Sequence, residues 1–247
     1  MGSPVPIVFF FITIPKIGLL YILLQVGFIF NCILNLFFGN LFVGIGCISL
    51  IIGFINALYQ FQFFRFLAYS SIFNIGFLMI AFGSLVLYNF YILLYFLVPY
   101  ISIIIGIFFI IIPLYGLKKE FVFYIGNFSV LMQSNFWLGC SFCLLIVALS
   151  GLPPFGIFFG KLFIFMGLLF SGSRILVLLF FFLSAFSSFY YFRLIRIVFF
   201  SNISEYVFIN FNNCRYLISL FIIINSCFFM YYDFIYLFFF NIIDYAY

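Results

Sequence analysis

Two consecutive prolines, Pro153 and Pro154, stand in the middle of a hydrophobic run from Trp137 to about Leu169, with Gly151, Gly156 and Gly160 around them. Proline has no N–H to donate and its ring clashes with the preceding turn, so a helix through this run must break there. Inside hydrocarbon, a break leaves backbone groups unpaired, and it is tolerated only where it is buried in protein or faces a water-filled cavity. Lys161 follows a little further on, with no acidic residue nearby in sequence. An ammonium group at membrane depth is costly and marks a functional position by default. Broken helices of this kind recur at the ion-handling sites of transporters. The alternative is a proline-kinked helix whose lysine snorkels to the interface.

Composition decides that this run lies in a membrane. The chain has 247 residues, of which 69% are hydrophobic and 5% charged, and its mean hydropathy is +1.46. Ordinary soluble domains carry roughly 25% charged residues, so the expected class is an all-α polytopic membrane protein in a lipid bilayer. The 48 Phe and 18 Tyr fit thymine-rich codons of an organellar genome. There is no His, which removes Ser/His/Asp chemistry, and no Gly-rich nucleotide loop is present. The net charge of +5 is spread too thinly to suggest nucleic-acid binding. Cys140 and Cys143 form a C-x-x-C without a second ligand pair, so no metal site is expected, and the six cysteines read as small core residues. The opening Met1-Gly2-Ser3-Pro4 lacks the basic region of a cleavable signal and is expected to start at the edge of a membrane helix.

Seven hydrophobic spans reach the roughly 20 residues that a bilayer demands. They run approximately Pro4–Phe30, Phe38–Tyr59, Phe66–Leu87, Phe90–Tyr115, Phe136–Leu169, Ile175–Phe200 and Tyr216–Phe240, and form a single transmembrane domain over 1–247 with no soluble domain. The longest link, from Lys118 to Ser134, leaves room for a short interfacial helix. The links after the even spans, which share a side with the amino end, carry Arg65, Lys118, Lys119, Arg193, Arg196 and Arg215 against Glu120 and Glu205. The opposite side carries Arg174, with Asp233 and Asp244 near or after the last span. The positive-inside bias then places the amino end on the cytoplasmic or matrix side and the carboxyl end outside.

Lys16 is the second intramembrane lysine. A helix from Pro4 to Lys16 rises about 18 Å, near the middle of a hydrocarbon core of about 30 Å, where snorkelling is hard. Burial among apolar groups disfavours the charged form, which lets such a lysine exchange a proton. Lys16 and Lys161 together suggest a proton path, although pairing with acids from elsewhere stays open. The third span brings Tyr69, Ser70, Ser71 and Asn74 into one helix, with Ser70 and Asn74 a turn apart on one face. Such a face can hold an ordered water chain or make interhelical hydrogen bonds, and both readings stand. Ser184, Ser187, Ser188, Tyr190 and Tyr191 repeat the pattern in the sixth span. Ser49, Asn56, Ser70, Ser71 and Asn74 could hydrogen-bond Lys16, yet none supplies a charge.

Four stretches together resemble the antiporter-like, proton-pumping subunits of respiratory complex I, NADH–ubiquinone oxidoreductase, and within them the carboxyl-terminal half of the subunit 2 family. They are Pro4-Val-Pro6 through Pro15-Lys16; Arg65 with Leu67-Ala-Tyr-Ser-Ser-Ile72; Leu149-Ser-Gly-Leu-Pro-Pro154 with Gly160-Lys161; and Tyr190-Tyr-Phe-Arg-Leu194. The resemblance implies half of an inverted-repeat fold, with one helix broken in mid-membrane at Gly151, Pro153, Pro154 and Gly156. It gives Lys16 the role of the central membrane lysine and Lys161 that of the second broken helix, with Tyr69, Ser70, Ser71 and Asn74 as the supporting water chain. The family has histidine where Asn74 stands; Asn cannot carry a proton, so a water-holding role alone passes to it. The earlier helices of the family fold have no counterpart in this sequence. From this and from Met1, a shortened or split subunit is expected, its other half a separate chain or lost.

The resemblance further implies other complex I membrane-arm subunits as partners and no redox or other catalytic site in this chain. NADH, FMN, iron–sulfur clusters and ubiquinone are expected elsewhere in the complex. The implied location is the mitochondrial inner membrane, with the amino end facing the matrix and the carboxyl end the intermembrane space. Two function classes follow. The chain supplies the outer half of a proton channel, or it is a scaffold that holds the membrane arm together. A sodium/proton antiporter component is a weaker third reading, because a half-fold without a buried acid has little to bind Na⁺.

Overall fold

The computed structural model describes residues 5–30, 35–83, 89–117, 124–200 and 215–230. Its helices are α1 (Val5–Phe30), α2 (Asn35–Tyr59), α3 (Phe63–Gly83), α4 (Asn89–Leu117), α5 (Ser129–Ser134), α6 (Phe136–Ser150), α7 (Gly156–Phe170), α8 (Arg174–Phe200) and α9 (Arg215–Met230), with a 3-10 turn at Ile125–Phe128 before α5. Five of the helices are long and apolar enough to cross a membrane, and α6, α7 and the apolar part of α9 are shorter. With α6 and α7 taken as the two halves of one broken crossing, the order matches the seven spans expected from hydropathy. The link before α6 holds the 3-10 turn and α5; Lys118 to Phe123 lie outside the described residues, as does the expected end of the last span beyond Met230.

Most of α3 and α4 is buried, whereas α1, α2 and α8 expose most of their surface. The bundle is therefore built around α3 and α4. Exposed side chains on the outer helices are themselves apolar, among them Phe11 on α1, Ile48 on α2 and Phe189 on α8, as expected of surfaces that meet lipid rather than water. Phe136, Trp137, Phe170 and Ile175 stand exposed at helix ends, where amphipathic aromatics such as Trp suit the membrane–water boundary.

The tightest pairing is α2 against α3. A Cβ added at Gly53 would stand 2.6 Å from the backbone nitrogen of Phe73, one at Gly76 2.6 Å from Ser49 Oγ, and one at Gly46 3.0 Å from the carbonyl oxygen of Gly76. Such contacts bring two backbones together where lipid offers no hydrophobic drive, and small residues make this close approach possible. Elsewhere in the bundle, α4 and α9 are joined by a polar pair: Asn225 Nδ2 donates to Ser102 Oγ at 2.9 Å and to the Phe221 carbonyl at 2.8 Å. Interhelical bonds of this type contribute about 0.6 kcal/mol on average in membranes. Asn225→Val is therefore expected to lower the thermal midpoint of the detergent-solubilised protein slightly, read by circular dichroism; a midpoint unchanged or raised would show that α9 docks by packing alone.

One end of the bundle is tied together by short-range contacts. The Ile125 N–H donates to the Phe61 carbonyl at 3.0 Å, and Phe128 packs between Phe63 and Phe142 at centroid distances of 4.4 and 5.2 Å. Arg193 Nη1 donates to the Leu58 carbonyl at the end of α2, 2.7 Å away, with its guanidinium 5.0 Å from the Phe61 ring centroid. The links after α2 and α4 and the later turns of α8 thus gather at one end, as the alternation of the spans requires.

Candidate functional site

Lys161 and Lys16 are both buried, at 4% and 5% exposure, although each belongs to a residue type almost never fully buried without a partner. No carboxylate lies among the described residues, since Glu120, Glu205, Asp233 and Asp244 all fall outside them. Each lysine instead meets neutral oxygen.

α6 ends at Ser150 and α7 starts at Gly156, so the chain between them is not helical. Gly151 closes α6 in the left-handed region, φ 75° and ψ 40°, a conformation glycine adopts without steric cost and the usual one past a helix C-terminus. Pro153 and Pro154 follow, joined by a cis peptide bond, and Phe155 is the extended residue before α7. The break exposes the last carbonyls of α6. Lys161, on the second turn of α7, reaches back and donates from Nζ to the Ser150 carbonyl at 3.0 Å. A cation at a helix C-terminus is favoured by the helix dipole as well as by the hydrogen bond. The fit is close, since a Cβ on Gly151 would stand 2.9 Å from Lys161 Nζ. The rings of Phe77 and Phe73 line the same ammonium, their centroids 5.3 and 5.9 Å away.

Lys16 sits on α1 just after Pro15 and points into the bundle, where Nζ donates to the Tyr100 hydroxyl of α4. Sequence reasoning passed over Tyr100 because nothing distinguishes it locally from the other tyrosines, and the pairing spans a long stretch of chain. Of the side chains whose type could hydrogen-bond Lys16, the Ser49 hydroxyl donates to the Gly46 carbonyl, Ser70 to Leu67 and Ser71 to Ala68, each within its own helix.

Between the lysines lies a third polar group. Asn74, Tyr190 and Tyr191 are buried at 1–2% exposure, with Ser70 and Ser187 beside them. The Tyr191 hydroxyl faces Tyr190, Ser70 and Asn74, and lies within electrostatic reach of Tyr100. Neither amide atom of Asn74 nor either tyrosine hydroxyl makes a hydrogen bond of standard geometry. Buried polar atoms of this kind call for partners, and a polar, roomy site is where ordered water supplies them. Ser70 and Asn74 share the inward face, as their spacing implies. Tyr69 is only half-buried, and Ser71 is buried but bonded within its own turn. In α8, Ser187, Tyr190 and Tyr191 turn inward, while the Ser184 and Ser188 hydroxyls donate to carbonyls of their own helix near its exposed side. Cys140 and Cys143 are free, half-buried and buried respectively.

Residues 1–187 match the family model described as NADH:quinone oxidoreductase/Mrp antiporter, transmembrane. Among curated relatives, NADH-quinone oxidoreductase subunit N of Parvibaculum lavamentivorans is 28% identical over 204 residues, 83% of this chain and 42% of that protein. The chloroplastic NAD(P)H-quinone oxidoreductase subunit 2 of Chaetosphaeridium globosum is 32% identical over 83% of this chain and 41% of its own length. The chain thus spans less than half the length of the curated relatives it matches. Among solved structures, a chain of respiratory complex I from Thermus thermophilus with bound NADH superposes with a TM-score of 0.70 at 20% identity, covering 80% of this chain and 42% of that one. Fold and sequence agree that the chain belongs to the antiporter-like transmembrane family of NADH:quinone oxidoreductases and Mrp antiporters.

Proposed function

We propose that this chain forms the later half of a proton-translocation channel in the membrane arm of a proton-pumping NADH:quinone oxidoreductase. The observation that carries the reading is the pair of buried lysines in one bundle, each held by neutral oxygen, with a cluster of buried, unbonded hydroxyl and amide groups between them. A lysine held by a carboxylate is fixed as a cation. A lysine held by a tyrosine hydroxyl or a carbonyl can lose its proton without stranding a buried anion. Lys16 and Lys161 are the proton carriers in this reading; Asn74, Ser70, Tyr190 and Tyr191 hold the water between them. The redox reaction, with NADH, FMN, iron–sulfur clusters and ubiquinone, belongs to other subunits.

The helices that complete the inverted repeat come from a separate chain or from further sequence of this one, docked against α1, whose outward face carries Ile7, Phe11 and Ile14. Other membrane-arm subunits are the remaining partners. The charge distribution supports a matrix-side or cytoplasmic amino end, and the Phe-rich composition supports the mitochondrial inner membrane. A scaffold role is the second reading, favoured by the fact that among the described residues no carboxylate stands beside either lysine to exchange a proton with it.

Substitutions at Lys16 separate the two. In the assembled complex, Lys16→Ala is expected to lower the number of protons pumped per electron. Lys16→Arg is expected to do the same, because guanidinium does not release its proton. Proton uptake measured against NADH oxidation in sealed vesicles checks this. An assembled Lys16→Ala complex that pumps at the normal ratio supports the scaffold.

A further inference from the structure

A file of aromatic rings runs between the two lysines. From Lys16 the path reaches Tyr100, whose ring stacks on Phe96 with centroids 6.4 Å apart and planes 9° from parallel. Phe96 lies 6.4 Å from Phe77, and Phe77 meets Phe73 edge-on at 5.2 Å. Beyond them is Lys161. Phe73 also meets the ring of Tyr190, at 6.3 Å and perpendicular, so this one side chain touches both the cluster of unbonded polar groups and the ammonium. All three phenylalanines are buried, at 0–1% exposure. They are also held in place: a Cβ on Gly160 would stand 2.9 Å from the Phe96 ring, and one on Gly53 2.6 Å from the Phe73 backbone.

We propose that Phe73, Phe77 and Phe96 form an aromatic barrier between the water-holding pocket at Asn74, Tyr190 and Tyr191 and the Lys161 ammonium. The proposal rests on the proton-channel reading and deepens it. Water fills the pocket because its four orphaned polar atoms require partners. It does not pass the rings, because an apolar constriction excludes a water chain. A proton crosses only when a ring turns aside. The barrier has a physical purpose: a charge moved across 100 mV is worth about 2.3 kcal/mol, and a permanently wet path between the lysines would let pumped protons return. Phe73, in contact with both compartments, is the ring whose loss opens the path most directly.

The test is passive proton conductance in sealed vesicles carrying the assembled complex, without NADH, driven by an imposed potential and read with a pH-sensitive dye. Phe73→Ala is expected to speed proton equilibration at least about tenfold, the effect of a modest lowering of a barrier. Phe73→Leu, which keeps apolar bulk, should stay close to the unsubstituted complex. Adding Lys161→Ala to Phe73→Ala should remove the extra conductance. Conductance unchanged in Phe73→Ala, or undiminished in the double variant, overturns the barrier. Where Phe73→Ala does not assemble, a map of the unsubstituted complex that resolves water decides. Ordered water at Asn74 and Tyr191 with none between the rings supports the barrier, and a continuous file of water past Phe73 removes it. Normal pumping by Lys16→Ala and Lys161→Ala would instead overturn the channel itself, while impaired lysine variants beside a proton-tight Phe73→Ala would overturn the barrier alone.

Discussion

Gly151→Val is expected to reduce proton pumping to less than about a tenth of its normal ratio to electron transfer, a loss equivalent to about 1.4 kcal/mol or more in the productive geometry, in a complex that still assembles. Two effects combine. Gly151 has φ 75°, where a side chain costs about 1–2 kcal/mol and a β-branched one more. The new Cβ would also fall 2.9 Å from Lys161 Nζ and 3.1 Å from Cε, so the ammonium must leave the Ser150 carbonyl, its hydrogen-bond partner. Gly151→Asn separates the two causes. Asn tolerates the left-handed region better than other residues yet still carries a Cβ. If displacement of Lys161 is what matters, both variants fail to pump. Normal pumping by Gly151→Asn would assign the loss to backbone strain, and normal pumping by Gly151→Val would show that the seat of Lys161 in the helix break is not needed.

The largest structural effect is expected at Gly53. Gly53→Leu should prevent α2 from seating on α3 and abolish assembly, at a cost above about 3 kcal/mol, the upper range for overpacking. The added Cβ would meet the nitrogen, Cα and Cβ of Phe73 at 2.6, 2.9 and 3.0 Å. Two of those atoms are backbone, so no rotamer change relieves the clash, and the helices must separate along their length. α2 has little else to hold it, with α3 its main neighbour and α8 a lesser one. Gly53→Ala carries the same first atom without the rest of the leucine and should be intermediate. Native gel electrophoresis of membranes checks the series. A Gly53→Leu complex of full size and normal thermal stability would mean that α2 and α3 tolerate a wider spacing. Because the same contact sets the position of Phe73, the series also probes how firmly the aromatic barrier is held.

The membrane class, the spans, the break and both lysines were readable from the chain. A bilayer demands long apolar runs and penalises any charge within them, so a lysine or a Gly/Pro cluster inside such a run stands out with no neighbour known. Prolines stop a helix by local sterics, and Gly151 completes the stop in a conformation its own sequence neighbourhood calls for. The shared inward face of Ser70 and Asn74 was likewise a matter of helix period.

What only the tertiary structure decided is which neutral groups meet which. In a soluble helix an apolar stripe marks the buried face, but here lipid and protein interior are equally apolar, and the outer faces of α1, α2 and α8 are as apolar as their inner ones. Sequence periodicity therefore could not say that Tyr100 would receive Lys16, that Tyr190 and Tyr191 would close on Asn74, or that Ser184 and Ser188 would keep their bonds within α8. The first two pairings cross long stretches of chain and depend on how closely helices approach, and which hydroxyls of α8 stay bonded to their own helix depends on which of its faces meets the bundle. That spacing is set by glycines at Gly46, Gly53 and Gly76, whose meaning appears only once the facing backbone is known.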